Sequence, residues 1–162
     1  MISRNLLLWL FTLLVLLVVN GLVLQKEHLK ANGQVILLEL APVDPRSLLQ
    51  GDYMRLRYAI AGEAEDKIER RDGFIIARLD AHQVAHYLRI HDAGIPLAPD
   101  ELLLPYRQRA FDLYIGPESF FFQEGHAEYY EAARYGELRI NRTGDLVLVG
   151  LRGDDFELLG PP

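Results

Sequence analysis

The longest apolar stretch of the chain lies near its N-terminus. Residues 6–24 read LLLWLFTLLVLLVVNGLVL and contain no charged side chain. At ~1.5 Å of rise per residue, a helix of this length is about 28 Å long, close to the thickness of the hydrocarbon layer of a bilayer. The pattern predicts a single transmembrane helix that carries one amide, Asn20, near its end.

A cleaved signal peptide is the alternative interpretation of this run. Val19-Asn20-Gly21 has the small-x-small form of a cleavage site. The apolar residues continue beyond that site to Leu24, however, and the run is longer than the usual apolar core of a signal peptide. We therefore expect residues 1–24 to be an N-terminal tail and an uncleaved anchor, which contacts the lipid bilayer through residues 6–24.

The flanking charges do not decide the orientation of this anchor. Arg4 lies on one side of the run, and Lys26 and Lys30 lie on the other with Glu27 between them. The short tail before the run is typical of a signal-anchor with a cytoplasmic N-terminus. We expect the rest of the chain to lie outside the cytoplasm.

Beyond a polar connector at residues 25–33, the pattern changes to short runs that are typical of strands. Residues 52–60 alternate, so that Met54, Leu56 and Tyr58 share one face and would point into a core. By such patterns, strands are expected at 34–41, 52–60, 74–79, 84–91, 102–109, 111–115, 135–141 and 146–151.

Helix signals are few in this part of the chain. Asp44 as a cap, Pro45 at the first position and Gly51 after the end predict one short helical turn. Residues 126–134 hold helix formers with Glu residues near their start, and they predict the best helix of the domain.

Loops complete the expected architecture. The charged residues 62–73 and the Gly- and Pro-containing residues 92–101 are predicted to be loops. Most connections are too short for helical crossovers, which favours antiparallel pairing. Residues 34–162 are therefore expected to form one α+β, mainly β domain with one or two short helices.

Charge and composition narrow the classes of function. All 23 acidic residues but only 16 of the 17 basic residues follow Leu24, so this part of the chain carries an excess of seven negative charges. Nucleic-acid binding needs clustered Lys and Arg, and is therefore not expected. The chain has no Cys, which excludes disulfides, thiolate metal sites and a Cys nucleophile.

The most specific motif is Gly51-Asp52-Tyr53-Met54-Arg55-Leu56-Arg57-Tyr58. It matches G-D-Y-x-x-L-x-Y at every defined position, and the chain resembles the GDYXXLXY family, membrane-anchored bacterial proteins named for this pattern. The resemblance implies an N-terminal anchor in a bacterial cytoplasmic membrane and a β-rich domain, and it implies no particular reaction. Further positions that carry it are Asp44, Arg46, Gly116, Phe121, Glu124, Gly144 and Gly150.

Two interpretations of the motif remain open. In the structural one, Gly51 ends a turn, Asp52 accepts hydrogen bonds from backbone N–H groups, and Leu56 packs in the core. In the functional one, Tyr53 and its neighbouring Arg residues form a surface for a ligand or partner. The structural interpretation is the more economical of the two, and we favour it.

Other chemistry-bearing residues predict no catalytic or metal site. His82 and His86 would lie about 13 Å apart on a strand, too far to share a metal ion. Glu124, Glu128 and Glu131 are more typical of a solvated helix face than of an acid–base pair. Aromatic residues concentrate at 120–122, 129–130 and 135, either as core or as a docking surface.

The sequence therefore predicts a membrane-anchored accessory domain that binds an integral membrane protein or another envelope protein, without a cofactor. The alternative is an envelope enzyme or ligand-sensing domain with a polar pocket around the motif. Such a pocket would use Arg46, Asp52, Tyr53 and Glu124.

Overall fold

The apolar run forms the middle of one continuous helix, α1 (Arg4–Asn32), in a computed structural model that describes residues 3–41, 53–110 and 112–161. Ser3 caps the helix, because its hydroxyl accepts a hydrogen bond from the amide of Leu6. The apolar part of α1 is long and apolar enough to cross a membrane, and no other part of the described protein covers it. The connector expected at residues 25–33 is almost entirely helical.

Gly33 alone joins α1 to the first strand. Its amide donates to the carbonyl of Leu29 at 2.7 Å and closes the helix, while its carbonyl accepts from Arg139 at 3.3 Å. Leu29 is the residue of α1 that is buried against the sheet domain. The helix therefore enters the domain without a flexible linker.

Nine strands follow in three sheets among the described residues. The strand order is β1-β8-β9 in the first sheet, β2-β7 in the second and β4-β3-β5-β6 in the third, and all these pairs are antiparallel. The bounds are β1 (Gln34–Glu39), β2 (Tyr53–Arg55), β3 (Asp72–Leu79), β4 (Ala85–Ile90), β5 (Glu101–Arg109), β6 (Asp112–Ile115), β7 (Ser119–Phe121), β8 (Tyr135–Ile140) and β9 (Leu146–Arg152).

Strand β1 connects the sheets. Leu37 pairs with Val84 in a parallel bridge beside β4, and Leu40 pairs with Tyr58 in an antiparallel bridge just beyond β2. The buried side chains form one core cluster drawn from all three sheets. The largest that are fully buried are Ile36, Leu38, Met54, Ile75, Ile76, Leu104, Leu138, Ile140 and Leu151. The expected α+β, mainly β architecture with antiparallel pairing is confirmed.

The strand expected at residues 52–60 is too long, and the loop expected after it is partly wrong. Regular pairing ends at Arg55, and a second helix, α2 (Ala59–Glu65), occupies the region. Alanine and glutamate favour this helix, and Ile60 and Ala64, four positions apart, bury its inner face. The alternating pattern ends at Tyr58, and the spacing of the apolar residues is helical from Ile60 onwards.

The helix expected at residues 126–134 is also wrong. The segment forms only a short 3-10 helix, Ala127–Tyr130, of which Tyr130 is the buried residue. One inward side chain gives no apolar stripe that could hold a longer helix against the core. The helical turn expected at 44–51 lies outside the described residues, and so does Asp52, which follows Gly51.

Replacement of Gly62, in the interior of α2, tests the presence of this helix. Gly62 is exposed, and an added Cβ would contact nothing within 4 Å. Gly62→Ala should therefore stabilise the domain by ~0.5–1 kcal/mol, because alanine loses less backbone entropy in a helix. The measurement is the free energy of unfolding from chemical denaturation of the full chain in detergent, monitored by circular dichroism.

The matched control for this substitution is Gly144→Ala in the β8–β9 turn. Gly144 has φ +87°, and its added Cβ would lie 2.8 Å from Cε1 of Phe74. This variant should lose about 1–3 kcal/mol. An unchanged or reduced stability of Gly62→Ala would contradict the helical assignment.

Candidate functional site

The described part of the family motif, Tyr53–Tyr58, has two faces with different surroundings. Met54, Leu56 and Tyr58 are buried, as the alternating pattern predicted. The other face carries Tyr53 and the arginines at positions 55 and 57. Four candidate residues near it, Asp44, Arg46, Gly51 and Asp52, lie outside the described residues, so the predicted role of Asp52 in a turn stays a prediction.

Tyr58 is held in a tight slot between strands. Its hydroxyl donates a hydrogen bond to the carbonyl of Pro117 at 3.1 Å, and burial raises the pKa of its phenol. Two glycines make room for the ring: an added Cβ at Gly136 would lie 3.1 Å from Cε1, and one at Gly116 would lie 3.6 Å from Cε2. Gly116 also has φ +71° and turns the chain from β6 towards β7. Tyr58 and Gly116 therefore serve the fold.

Leu56 fixes the same region through its backbone as well as its side chain. Its amide donates to the carbonyl of Glu118 at 2.9 Å, in line with the pairing of β2 with β7. One position along, the carbonyl of Arg57 accepts from the amide of Ala41 at 2.8 Å. The motif strand thus lies between the end of β1 and the β6–β7 turn, and it connects two sheets.

The outward face of β2 and β7 carries an aromatic pair. Tyr53 and Phe121 are opposite each other in the register, and their ring centroids are 5.7 Å apart. Phe121 is 74% exposed, although phenylalanine is usually found in protein interiors. On the same face of the motif, Arg57 forms an exposed ion pair with Asp112. We call Tyr53 and Phe121 the aromatic face.

The neighbouring aromatic residues point the other way. Phe120 and Phe122 contact the ring of Tyr130, with centroid distances of 5.0 Å and 5.3 Å, and pack against the core. The three phenylalanines at 120–122 therefore divide into two that pack against the core and one exposed ring, because successive residues of an extended chain face opposite sides. Tyr129, in the short 3-10 helix, is exposed as well. Glu124 is exposed in the turn that follows.

The histidines lie in different surroundings. His86 contacts the carboxylate of Asp80 at 3.2 Å, and His82 stacks on Phe156 with a centroid distance of 4.7 Å. Burial acts to raise the pKa of Asp80, but hydrogen bonds from the Val84 amide, His86 and the His82 amide together lower it. Within the described ranges, no three His, Asp or Glu side chains are grouped so that they could hold a metal ion.

A cleft of about 710 Å³ lies where α1 meets the domain, and the sequence analysis did not find it. Three distant segments form its walls: the last two turns of α1, the loop before β5 and the β8–β9 turn. No local pattern links these segments, so only the fold brings them together. The ionisable residues that line this junction cleft are Lys26, His28, Glu101, Arg142 and Asp145.

The carboxylates of the junction cleft are already engaged. Hydrogen bonds from the side chains of Asn141 and Thr143 lower the pKa of Asp145, and the positive charge of Lys26 adds to this effect. Glu101 accepts from Arg89 and from the amide of Ala98, each at 3.1 Å. Asp145 keeps its negative charge and attracts Lys26, while Arg89 offsets the charge of Glu101. Lys26 and Arg142 therefore leave the cleft with one positive charge in excess, which can meet an anionic ligand.

A second, open cleft of about 500 Å³ lies beside β3, β5 and β6. Of the described candidate residues, only Gly116 lines it, and none lines the junction cleft. Tyr53, Phe121 and Glu124 therefore lie on the surface outside both clefts.

A family model described as GDYXXLXY protein matches residues 15–151, which is most of the chain. The chain belongs to the GDYXXLXY family. No curated protein and no solved structure matches it. In this family member, the last leucine and tyrosine of the name-giving motif, Leu56 and Tyr58, are core residues, whereas its first tyrosine, Tyr53, belongs to the aromatic face.

The two tyrosines of the motif should respond differently to truncation. Tyr58→Ala empties a buried slot and should cost ~3–5 kcal/mol of unfolding free energy, while Tyr58→Phe, which loses only the hydrogen bond to Pro117, should cost about 1 kcal/mol. Tyr53→Ala should cost less than ~1 kcal/mol. Chemical denaturation of the full chain in detergent measures all three, and equal losses for the two alanine variants would contradict the division into inner and outer faces.

Proposed function

We propose that this chain is a single-pass protein of a bacterial cytoplasmic membrane whose strand-rich domain lies outside the cytoplasm and docks on an integral membrane protein. The observation that carries the proposal is the continuity of α1 with the domain. An apolar helix that no described part of the protein covers passes through Gly33 directly into β1. When such a helix crosses a bilayer, the domain is held beside other membrane proteins, which raises their effective concentration.

The same continuity supports a retained anchor. Cleavage near Gly21 would cut α1 in its interior and leave the exposed apolar residues Leu22, Val23 and Leu24 at the new N-terminus. Basic residues flank the apolar run on both sides, so the proposed orientation follows the signal-anchor pattern and not the count of charges. The excess of negative charge beyond Leu24 disfavours broad adsorption of the domain on anionic lipid.

The aromatic face supports docking on a protein. Phe121 offers a large, rigid apolar surface, and Tyr53 beside it adds a polar tip. Aromatic side chains of this kind are enriched among the residues that dominate binding energy, and few rotatable bonds are fixed when they bind. The exposed Arg55 at the end of β2 can add polar contacts at the rim of such an interface.

Enzymatic or ligand-sensing activity receives less support from the described residues. Of the four groups that such a site would use, Tyr53 and Glu124 line neither of the two clefts, and Arg46 and Asp52 lie outside the described residues. A docking role uses the exposed side chains where they are. We therefore retain the accessory interaction domain as the proposed function.

The proposed topology predicts the result of protease accessibility. Protease added to the outside of intact spheroplasts should digest the domain beyond Gln25 and leave a membrane-embedded N-terminal fragment. The measurement is immunoblotting with tags at both ends, and lysed spheroplasts serve as the control for protease activity. A domain that is protected until lysis, or a mature chain that begins near Leu22, would contradict the proposal.

The proposed docking predicts a crosslinking pattern at the aromatic face. A photoreactive amino acid at Phe121 should capture one integral membrane protein in native membranes, while the same group at Leu158, which is 65% exposed, should not capture that protein. When Tyr53→Ser is added to the variant with the photoreactive group at position 121, capture should weaken by roughly tenfold or more, as loss of an aromatic anchor does at interfaces.

Changes to the membrane anchor supply a further control for the same crosslinking experiment. Replacement of residues 6–24 by an unrelated apolar helix of equal length should preserve the crosslink, whereas release of residues 25–162 into the same compartment should reduce it. Equal capture by the released domain would contradict docking on a membrane partner and favour a soluble one.

A further inference from the structure

The loop between β4 and β5 exposes apolar side chains close to the helical anchor. Ile95 is 48% exposed and Leu97 is 39% exposed, in the segment Gly94-Ile95-Pro96-Leu97-Ala98-Pro99. The loop carries its two apolar side chains on the surface of an otherwise acidic domain. Solvent exposure of such residues is unfavourable, so a partner of apolar chemistry would stabilise this loop.

The position of the loop relative to α1 indicates what that partner is. Leu97, Ala98 and Pro99 line the junction cleft together with Gln25 and Lys26 of the helix. The apolar run of α1 ends at Leu24, and two further residues of helix add only ~3 Å. The headgroup region on each side of a bilayer is about 5–7 Å thick, so the wall of the cleft at Lys26 lies within it when α1 crosses the membrane.

The charges of the cleft fit the same environment. Lys26 and Arg142 line it together with the ionised Asp145, whose carboxylate Lys26 attracts, while Arg89 offsets the charge of Glu101. The two cations therefore exceed the uncompensated carboxylate by one positive charge. Basic residues just outside a hydrocarbon layer are attracted to lipid phosphate groups. This local arrangement differs from the rest of the domain, whose negative charge keeps other surfaces away from anionic lipid.

We propose that the junction cleft is a phospholipid site of the protein's own membrane. Ile95 and Leu97 enter the interfacial layer beside α1, and a headgroup occupies the cleft with its phosphate against Lys26 and Arg142. The domain thereby has a second contact with the bilayer, which fixes its rotation about the anchor. This inference rests on the membrane-spanning role of α1 in the proposed function, and it is independent of the docking partner.

Single-cysteine labelling tests the loop contact, because the chain has no Cys of its own. The full chain is reconstituted in vesicles of phosphatidylcholine and phosphatidylglycerol, with an environment-sensitive fluorophore at Ile95→Cys or Leu97→Cys. Both labels should show blue-shifted emission and quenching by lipids that carry a spin label near the headgroup. Labels at Phe121→Cys and Leu158→Cys, two exposed apolar positions away from the cleft, should show neither effect.

A label at Leu16→Cys separates the failure of this inference from the failure of the anchor. If Leu16→Cys is quenched by deeply spin-labelled lipid while Ile95→Cys and Leu97→Cys behave like Leu158→Cys, the anchor stands and the loop contact is wrong. If Leu16→Cys is not quenched, α1 does not span the bilayer, and the proposed function fails together with the inference.

Lipid retention tests the headgroup site directly. Native mass spectrometry of the full chain in detergent with added phosphatidylglycerol should show bound lipid, and the pair Lys26→Gln with Arg142→Gln should lose most of it. Lys30→Gln is the matched control, because Lys30 is an exposed basic residue of α1 that does not line the cleft. Equal lipid retention by the cleft pair and the control would overturn the site.

Discussion

The constraint on which the rest of the structure depends is the close approach of helix and sheet at Gly33. A Cβ at this position would lie 2.6 Å from the carbonyl oxygen of Leu29 and 2.9 Å from Cβ of Arg139, so a residue without a side chain is needed there. Because the amide and carbonyl of Gly33 are both bonded, α1 and β1 meet as two firmly connected elements. The position of the junction cleft between α1 and the sheets follows from this connection.

The family motif combines two tasks in one short strand. Tyr58 and Leu56 connect the end of β1 to the β6–β7 turn, and both are buried in the core cluster. Tyr53 uses the alternation of the same strand to present a ring beside Phe121 on the opposite side. A surface built in this way is rigid, because the residues that hold it are core residues. The same strand that packs the core therefore fixes the position of the two rings of the aromatic face.

The sequence predicted those features that depend on local patterns. The apolar run, the β8–β9 hairpin and the inward positions Met54, Leu56 and Tyr58 agree with the structure. Local patterns failed where tertiary contacts decide: α2 forms because Ile60 and Ala64 find a core to bury in, and the segment after His126 stays short because Tyr130 alone does so. The junction cleft was not predictable at all, since Lys26, Leu97 and Arg142 belong to three segments that meet only after folding. Likewise, Phe121 could be separated from its neighbours only once the pairing of β7 with β2 was known.

The central place of β1 has a consequence for the order in which the protein is made. Gln34 pairs with Ile140, so β1 must wait for a partner that follows about 100 residues later. Contacts of such long sequence separation form slowly, and an unpaired strand edge is prone to aggregate meanwhile. In the order of synthesis, β1 follows α1 directly. When α1 inserts into a bilayer, each new chain is held apart from others in bulk solution during the interval in which its first strand has no partner.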